Sequence, residues 1–120
     1  MKENDSIETI LDNLVQELKR GTLVLSVLLS TGEPVYGYSL VSRLREQGIP
    51  VEQNTLYPLL RRLESQGLLE SVWDTGESRP RKYYRVSTLG ERVRDRLVSE
   101  WAEMNRAINN TIERMDDETD

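Results

Sequence analysis

The chain contains no cysteine and no histidine. Those two absences exclude thiolate nucleophiles, imidazole acid–base catalysis and the usual zinc ligand sets, leaving only carboxylate or hydroxyl chemistry open to an enzyme. No pair of carboxylates stands out as catalytic, so no catalytic residue, metal site or cofactor is expected. Long hydrophobic runs are missing as well. The longest apolar stretch, residues 23–29, is broken by Ser26 and falls far short of the roughly 20 residues a membrane span requires. No signal peptide is legible, and a cytoplasmic protein is expected.

What is present is one domain's worth of chain with an uneven distribution of charge. The 120 residues carry a net charge of −5, which taken alone argues against a polyanionic partner. Residues 1–35 hold three basic and six acidic side chains, residues 97–120 hold two and seven, and residues 36–96 hold eleven and eight. The acidity therefore belongs to the flanks, and the middle is net basic. Polyanion binding depends on the local patch, so a DNA-binding core remains open.

Apolar periodicity organises the flanks. Ile7, Ile10, Leu11, Leu14, Val15 and Leu18 form one stripe of an amphipathic helix. Asp5 or Ser6 would cap its start, and Lys19 and Arg20 suit its C-terminal end. Gly21 marks either a break or a close packing point. Residues 22–30 are apolar nearly all round, as in a helix at the centre of a small domain. After the turn "TGEP" a third helix is expected over 36–47, with Leu40, Val41 and Leu44 inward and Gly48 and Pro50 ending it.

A connection of about six residues, read as the turn of a helix-turn-helix, leads to "NTLYPLLRRLESQGLLE". Leu56, Leu59, Leu60 and Leu63 recur at helical spacing, so the opposite side carries Asn54, Pro58, Arg61 and Ser65 with Arg62 beside them. Asn54 or Thr55 is expected to cap this helix, Pro58 to fall in its first turn, and Gly67 to end it in the left-handed conformation. Residues 68–73 and 82–86 read as two strands of a hairpin, a wing, around the tip "DTGESRPR". Tyr83 and Tyr84 then point to opposite faces with at least one in the core, and Trp73 is expected to pack.

Thr88 and Glu91 have capping-box spacing for a last helix over 89–114. Along it Leu97, Trp101, Met104, Ile108 and Met115 form the seam of a coiled-coil-like contact. The predicted fold is mainly α with a small β-hairpin: a winged helix-turn-helix over 21–88, an N-terminal dimerisation or packing helix over 1–20 and a C-terminal dimerisation helix over 89–115. Residues 116–120 read as a frayed acidic tail. The two apolar seams together suit a two-fold homodimer.

The stretches "RGTLVLSVL", "YGYSL", "NTLYPLLRRLESQGLLES" and "SRPRKYYRVSTLG" resemble, in order, the PadR family of bacterial transcriptional regulators. The single long C-terminal helix is similar to the compact subgroup, and residues 1–17 form an extension that not all compact members carry. The resemblance implies a homodimeric repressor binding a pseudo-palindromic site on double-stranded DNA, with the second helix of the helix-turn-helix in the major groove and the wing in the neighbouring minor groove. By motif match the DNA-binding residues are Asn54, Thr55, Tyr57, Pro58, Arg61 and Arg62, with Arg79, Arg81 and Lys82 on the wing. In the multidrug-binding branch a tryptophan in the position of Trp101, within "EWAEM", lines a space between subunits and stacks on flat aromatic drugs. That implies an effector site at Trp101, Glu100 and Met104 for a planar aromatic or cationic small molecule, with Glu103 nearby.

The residue types fit these roles on chemical grounds. Asparagine pairs bidentately with adenine and arginine with guanine O6 and N7, while a narrow minor groove attracts the basic side chains of "RPRKYYR". Each has a plainer reading. Arg61 and Arg62 would be a solvated face paired with Glu64 or Glu46, Tyr57 a packing residue, and the wing a charged edge protected from aggregation. Trp101 would simply fill the dimer seam. The alternative function is a winged-helix protein–protein interaction module that never touches DNA.

Overall fold

The computed structural model describes residues 2–76 and 78–119, with side chains described from Ser6 to Asp117. Helix α1 spans Lys2–Ser30 and runs unbroken through Gly21. A Cβ at Gly21 would meet nothing within 4 Å, so this glycine is neither a break nor a packing point. A single helical glycine costs only about 1 kcal/mol relative to alanine, too little to separate two flanking segments of strong helix formers. The boundary expected at residue 20 therefore falls inside one helix, with Lys19 and Arg20 in mid-helix. Ser6 also lies inside α1 and caps nothing, while the side chain of Asp5 lies outside the described residues. Val27 and Leu28 are fully buried, yet Leu29 is exposed, so the last turns of α1 are less enclosed than their composition suggests.

Thr31 ends α1 with its hydroxyl donating to the Val27 carbonyl at 2.9 Å, and the Arg43 guanidinium satisfies the Ser30 carbonyl at 3.0 Å. Strand β1 (Val35–Tyr36) leads directly into α2 (Gly37–Glu46), which buries Leu40, Val41 and Leu44 as expected. Helix α3 (Gln53–Ser65) buries Leu56, Leu60 and Leu63. Both helices stop in the same way. Gly48 and Gly67 take φ of +85° and +79°, and the next amide folds back, Ile49 to Leu44 at 2.8 Å and Leu68 to Leu63 at 2.9 Å. Only glycine enters that left-handed conformation without strain.

The start of α3 differs from expectation. Glu52 precedes it with extended backbone and no side-chain cap, so Asn54 and Thr55 lie in the first turn and cap nothing. Pro58 is then the sixth helical residue and belongs to the second turn. Its missing N–H leaves the Asn54 carbonyl without a helical donor, a defect of about 3 kcal/mol inside a helix. Burial of three leucines, each contributing about 1.5–3 kcal/mol, outweighs it.

Strands β2 (Leu69–Asp74) and β3 (Arg81–Val86) form the hairpin, paired from Leu69↔Val86 to Asp74↔Arg81. The tip is thus residues 75–80, shorter than expected at both ends. The sheet is three-stranded and antiparallel in the order β1-β3-β2, and β1 escaped the sequence reading because two residues carry no periodicity. Tyr84 is in the core and Tyr83 is half-buried on the other face. Trp73, expected to pack, is 59% exposed. It shares a sheet face with Leu69 and Ser71, but the hairpin outruns the helices that cover Leu69.

Helix α4 spans Thr88–Thr119. Its cap is Ser87 and not Thr88: the Ser87 hydroxyl accepts from the Gly90 amide at 2.9 Å and donates to the Gly67 carbonyl at 2.6 Å. The helix continues through most of the expected tail, and Asp120 lies outside the described residues. A Cβ at Gly90 would sit 2.1 Å from the Leu68 carbonyl oxygen, so α4 starts pressed against the backbone leading into β2. Beyond the core the two long helices reach outward. The radius of gyration is 18.3 Å, against about 14 Å for a compact domain of this length. Ile7, Ile10, Leu11, Leu14 and Leu18 on α1, and Trp101, Met104, Ile108, Ile112 and Met115 on α4, are all exposed.

Candidate nucleic-acid interface

The buried stripe of α3 dictates what its other face offers. With Leu56, Leu60 and Leu63 inward, Asn54, Thr55, Pro58, Arg61 and Arg62 are exposed, and Tyr57 is half-buried at the border. Among the described residues Arg61 and Arg62 have no ion-pair partner. The solvated-pair reading with Glu64 or Glu46 is therefore not what the fold adopts. Glu64 is used elsewhere: it accepts from the Ser71 hydroxyl on β2 and from the Lys82 ammonium on β3 at 3.0 Å. One carboxylate ties the helix to both wing strands.

That tie sets the electrostatics of Lys82. Hydrogen bonding from Ser71 and then from Lys82 holds the Glu64 carboxyl below its usual range against the opposing effect of burial. For Lys82 burial works to lower the ammonium, but Glu64 and the Tyr84 hydroxyl outweigh it and the pKa is raised. The Lys82 ammonium also lies 5.1 Å from the Tyr84 ring centroid and 5.9 Å from that of Trp73. Lys82, expected at the DNA surface, thus has its charge compensated within the fold.

Between α3, the start of α2 and the wing lies an open cleft of about 580 Å³. Tyr57 and Arg61 line it from α3, Tyr36 and Tyr38 from the β1–α2 junction, and Trp73, Arg79, Pro80 and Arg81 from the wing. Gly37 lets the Tyr57 ring approach closely, since a Cβ there would stand 3.3 Å from it. Tyr83 donates to the Tyr36 hydroxyl, which in turn donates to Asp74 at 3.5 Å. As a donor to Tyr36, Tyr83 resists losing its proton, and with partial burial its phenol is pushed up to about 12.

A second, shallower groove runs along the front of α3 past Glu52, Gln53, Asn54, Tyr57, Pro58 and Arg61. Tyr57 and Arg61 thus border both depressions, Asn54 and Pro58 only the outer one, and Arg62 neither. The expected residues Arg79 and Arg81 converge on the cleft, whereas Tyr36, Tyr38 and Trp73 were not foreseen there. The signal for Tyr36 and Tyr38 was the motif "YGYSL" itself, whose two tyrosines straddle a glycine; Trp73 had none. On α4, Trp101, Glu100, Glu103 and Met104 are exposed. Among the described residues no cluster of acidic side chains could hold a metal ion, and no helix is long and apolar enough to cross a membrane.

Comparison with known proteins agrees with this architecture. A profile of the transcriptional regulator PadR-like family matches residues 24–96. A crystal structure of a PadR family transcriptional regulator from Eggerthella lenta is similar with a TM-score of 0.86 and 50% identity, covering 90% of this chain and 96% of that one. A PadR-like regulator from Bacillus cereus is similar with a TM-score of 0.73 and 28% identity, over 80% of this chain and 96% of the other. A transcriptional regulator of Mycobacterium tuberculosis is 35% identical over 77 residues, 63% of this chain and 72% of its own. With its helix-turn-helix, three-stranded sheet carrying a hairpin wing, and these relatives, the chain belongs to the PadR-like family of transcriptional regulators, winged-helix proteins that are not enzymes.

Proposed function

We propose that this protein is a sequence-specific DNA-binding repressor that acts as a homodimer on a pseudo-palindromic operator. The observation that carries the reading is the pair of arginines, Arg61 and Arg62, exposed on one face of α3 with no ion-pair partner among the described residues, flanked by a wing that presents Arg79 and Arg81. Asn54, Thr55, Pro58, Arg61 and Arg62 face the major groove, where an asparagine or arginine in bidentate pairing discriminates a base by about 1–3 kcal/mol. Tyr57 reaches a phosphate with its hydroxyl, and Arg79 and Arg81 enter the adjoining minor groove. Lys82 supports the wing through Glu64. The protein works in the cytoplasm, where it meets its operator.

The exposed seams of α1 and α4 support the dimer, since contiguous apolar surface of that extent marks an interaction site. Two-fold symmetry would set the two α3 helices about 34–36 Å apart, one helical turn of DNA. Selection of bound sites from random duplex DNA, followed by footprinting, tests the reading. A dyad-symmetric consensus is expected, and a consensus without a dyad, or no enrichment, would refute it.

Release by a small effector is the second part of the proposal. Trp101 and Met104 belong to the proposed dimer seam, with Glu100 or Glu103 nearby, and an indole face helped by a carboxylate suits a planar aromatic cation. Such a ligand would act by favouring one spacing of the two DNA-binding heads over another. Fluorescence titration with a planar cationic dye separates the two tryptophans: Trp101→Ala should abolish binding and Trp73→Phe should not.

A further inference from the structure

The motif "YGYSL" has no part in the reading above, yet it builds much of the cleft. Tyr36 and Tyr38 stack with ring centroids 5.7 Å apart and planes within 12°, and Tyr36 stacks on Tyr83 at 3.9 Å. Three tyrosines thus form a ladder from the start of α2 to the wing. The Arg81 guanidinium lies 5.2 Å from the Tyr36 centroid, and its Nη1 donates to the Tyr38 hydroxyl at 3.5 Å. Asp74, cross-strand from Arg81, directs its carboxylate to the Tyr36 hydroxyl and to the Gly76 amide. Tyr38 itself is half exposed, and accepting from Arg81 leaves its own O–H proton to give.

A helix in a major groove and a hairpin tip in the adjoining minor groove are separated by one sugar–phosphate strand. In this fold the cleft is what separates α3 from the wing tip. Phosphate oxygens only accept hydrogen bonds, and tyrosine hydroxyls and guanidinium groups are among their common donors. We propose that the cleft seats the DNA strand lying between the two grooves, and that the Tyr38 hydroxyl and the Arg81 guanidinium together clamp one of its phosphates. The proposal rests on the DNA-binding reading and adds Tyr38 to it. A clamp at this point fixes the register of α3 and the wing on the duplex and carries no base information.

The test is a cycle between Tyr38→Phe, which keeps the stacked ring and removes only the hydroxyl, and single neutral methylphosphonate substitutions scanned across the selected operator. Tyr38→Phe should weaken binding about tenfold, the size of one hydrogen bond to a charged group. The loss should be equal on operator and unrelated duplex, and the salt slope should not change. At one phosphate per half-site the methylphosphonate should weaken Tyr38→Phe by less than it weakens the wild type, the remaining loss being that of the Arg81 contact. Arg81→Gln should lower the salt slope by about one per clamp. Millimolar inorganic phosphate at constant ionic strength should displace nothing.

Wild-type affinity in Tyr38→Phe, or losses that simply add at every phosphate, would overturn the clamp while leaving DNA binding intact. Displacement of DNA by inorganic phosphate would assign the site to a free anion and also overturn it. A wild type that binds no duplex would overturn both this inference and the function it rests on.

Discussion

The winged-helix head and the two helical arms solve opposite problems with the same kind of helix. In the head, α2 and α3 bury their leucines against α1 and a three-stranded sheet, and the face that α3 leaves outside carries Asn54, Arg61 and Arg62. In the arms, α1 and α4 carry stripes of equal regularity that stay exposed and are flanked by acidic side chains. The head is complete within one chain. The apolar stripes of the arms are not covered within the chain, and the proposed function gives the head to the DNA and the arms to a second copy.

The sharpest way to break this contrast is to place a charge in the arms. Ile108→Glu should leave the head folded but dissociate the dimer, because an unpaired charge in a closed interface costs about 3–5 kcal/mol. Sedimentation should report monomers with an unchanged thermal midpoint of the head, and operator binding should collapse; a variant that stays dimeric would show that the α4 stripe is not the seam. In the head the corresponding weak point is backbone packing. Gly90→Ala forces a methyl into the Leu68 carbonyl and should destabilise by about 2–3 kcal/mol as an overpacked contact, with the melting temperature falling about 5 °C per kcal/mol. An unshifted melting curve would contradict the close approach of α4 to the strand.

Smaller effects sharpen the picture of the head. Arg61→Ala should cost about 1–3 kcal/mol of operator affinity and relax preference at a single base, whereas an equal loss on all sequences would reassign Arg61 to the backbone. If about six basic side chains per dimer reach phosphates, log K should fall against log salt with a slope near −5. A slope close to zero would remove the electrostatic case.

The smallest expected effect concerns Glu64. Its carboxyl is held below the ordinary value of 4.5, so the stability it contributes is complete above that value and is lost as pH falls through the lower, folded one. Lys82 behaves in mirror image, contributing below its ordinary value of 10.5 and losing it as pH rises through the raised one. Both contributions are present at neutral pH. Because the pair is partly exposed, Glu64→Gln should change stability by no more than about 1 kcal/mol and flatten its acid dependence. A steeper acid transition in the variant would show that the tie does not form.

Much of this was legible in the residues. Leu56, Leu60 and Leu63 announce α3 and thereby expose Arg61 and Arg62, because a helical period forces the two sets apart. Gly48 and Gly67 announce where helices stop, because few other residues tolerate their backbone angles. Other features had no local signal. Ser87 caps α4 although Thr88 has the better spacing, since the choice depends on the Gly67 carbonyl that the Ser87 hydroxyl reaches. Trp73 is exposed and Lys82 is paired because the length by which a hairpin outruns its helices is a property of assembly.

The order of apolar and polar residues alone determined where the helical segments and the hairpin lie, the sign of charge on each part and the arginine-bearing face of α3, but not that the first two segments are one helix through Gly21. Those properties depend on neighbours three or four positions away along the chain. Tertiary structure alone decided that Tyr36, Tyr38 and Arg81 share one cleft and that Glu64 claims Lys82, leaving Arg61 and Arg62 without an ion pair among the described residues. Such contacts join residues 18 to 43 positions apart, a distance over which side-chain periodicity carries no information and only packing of the core brings the groups together.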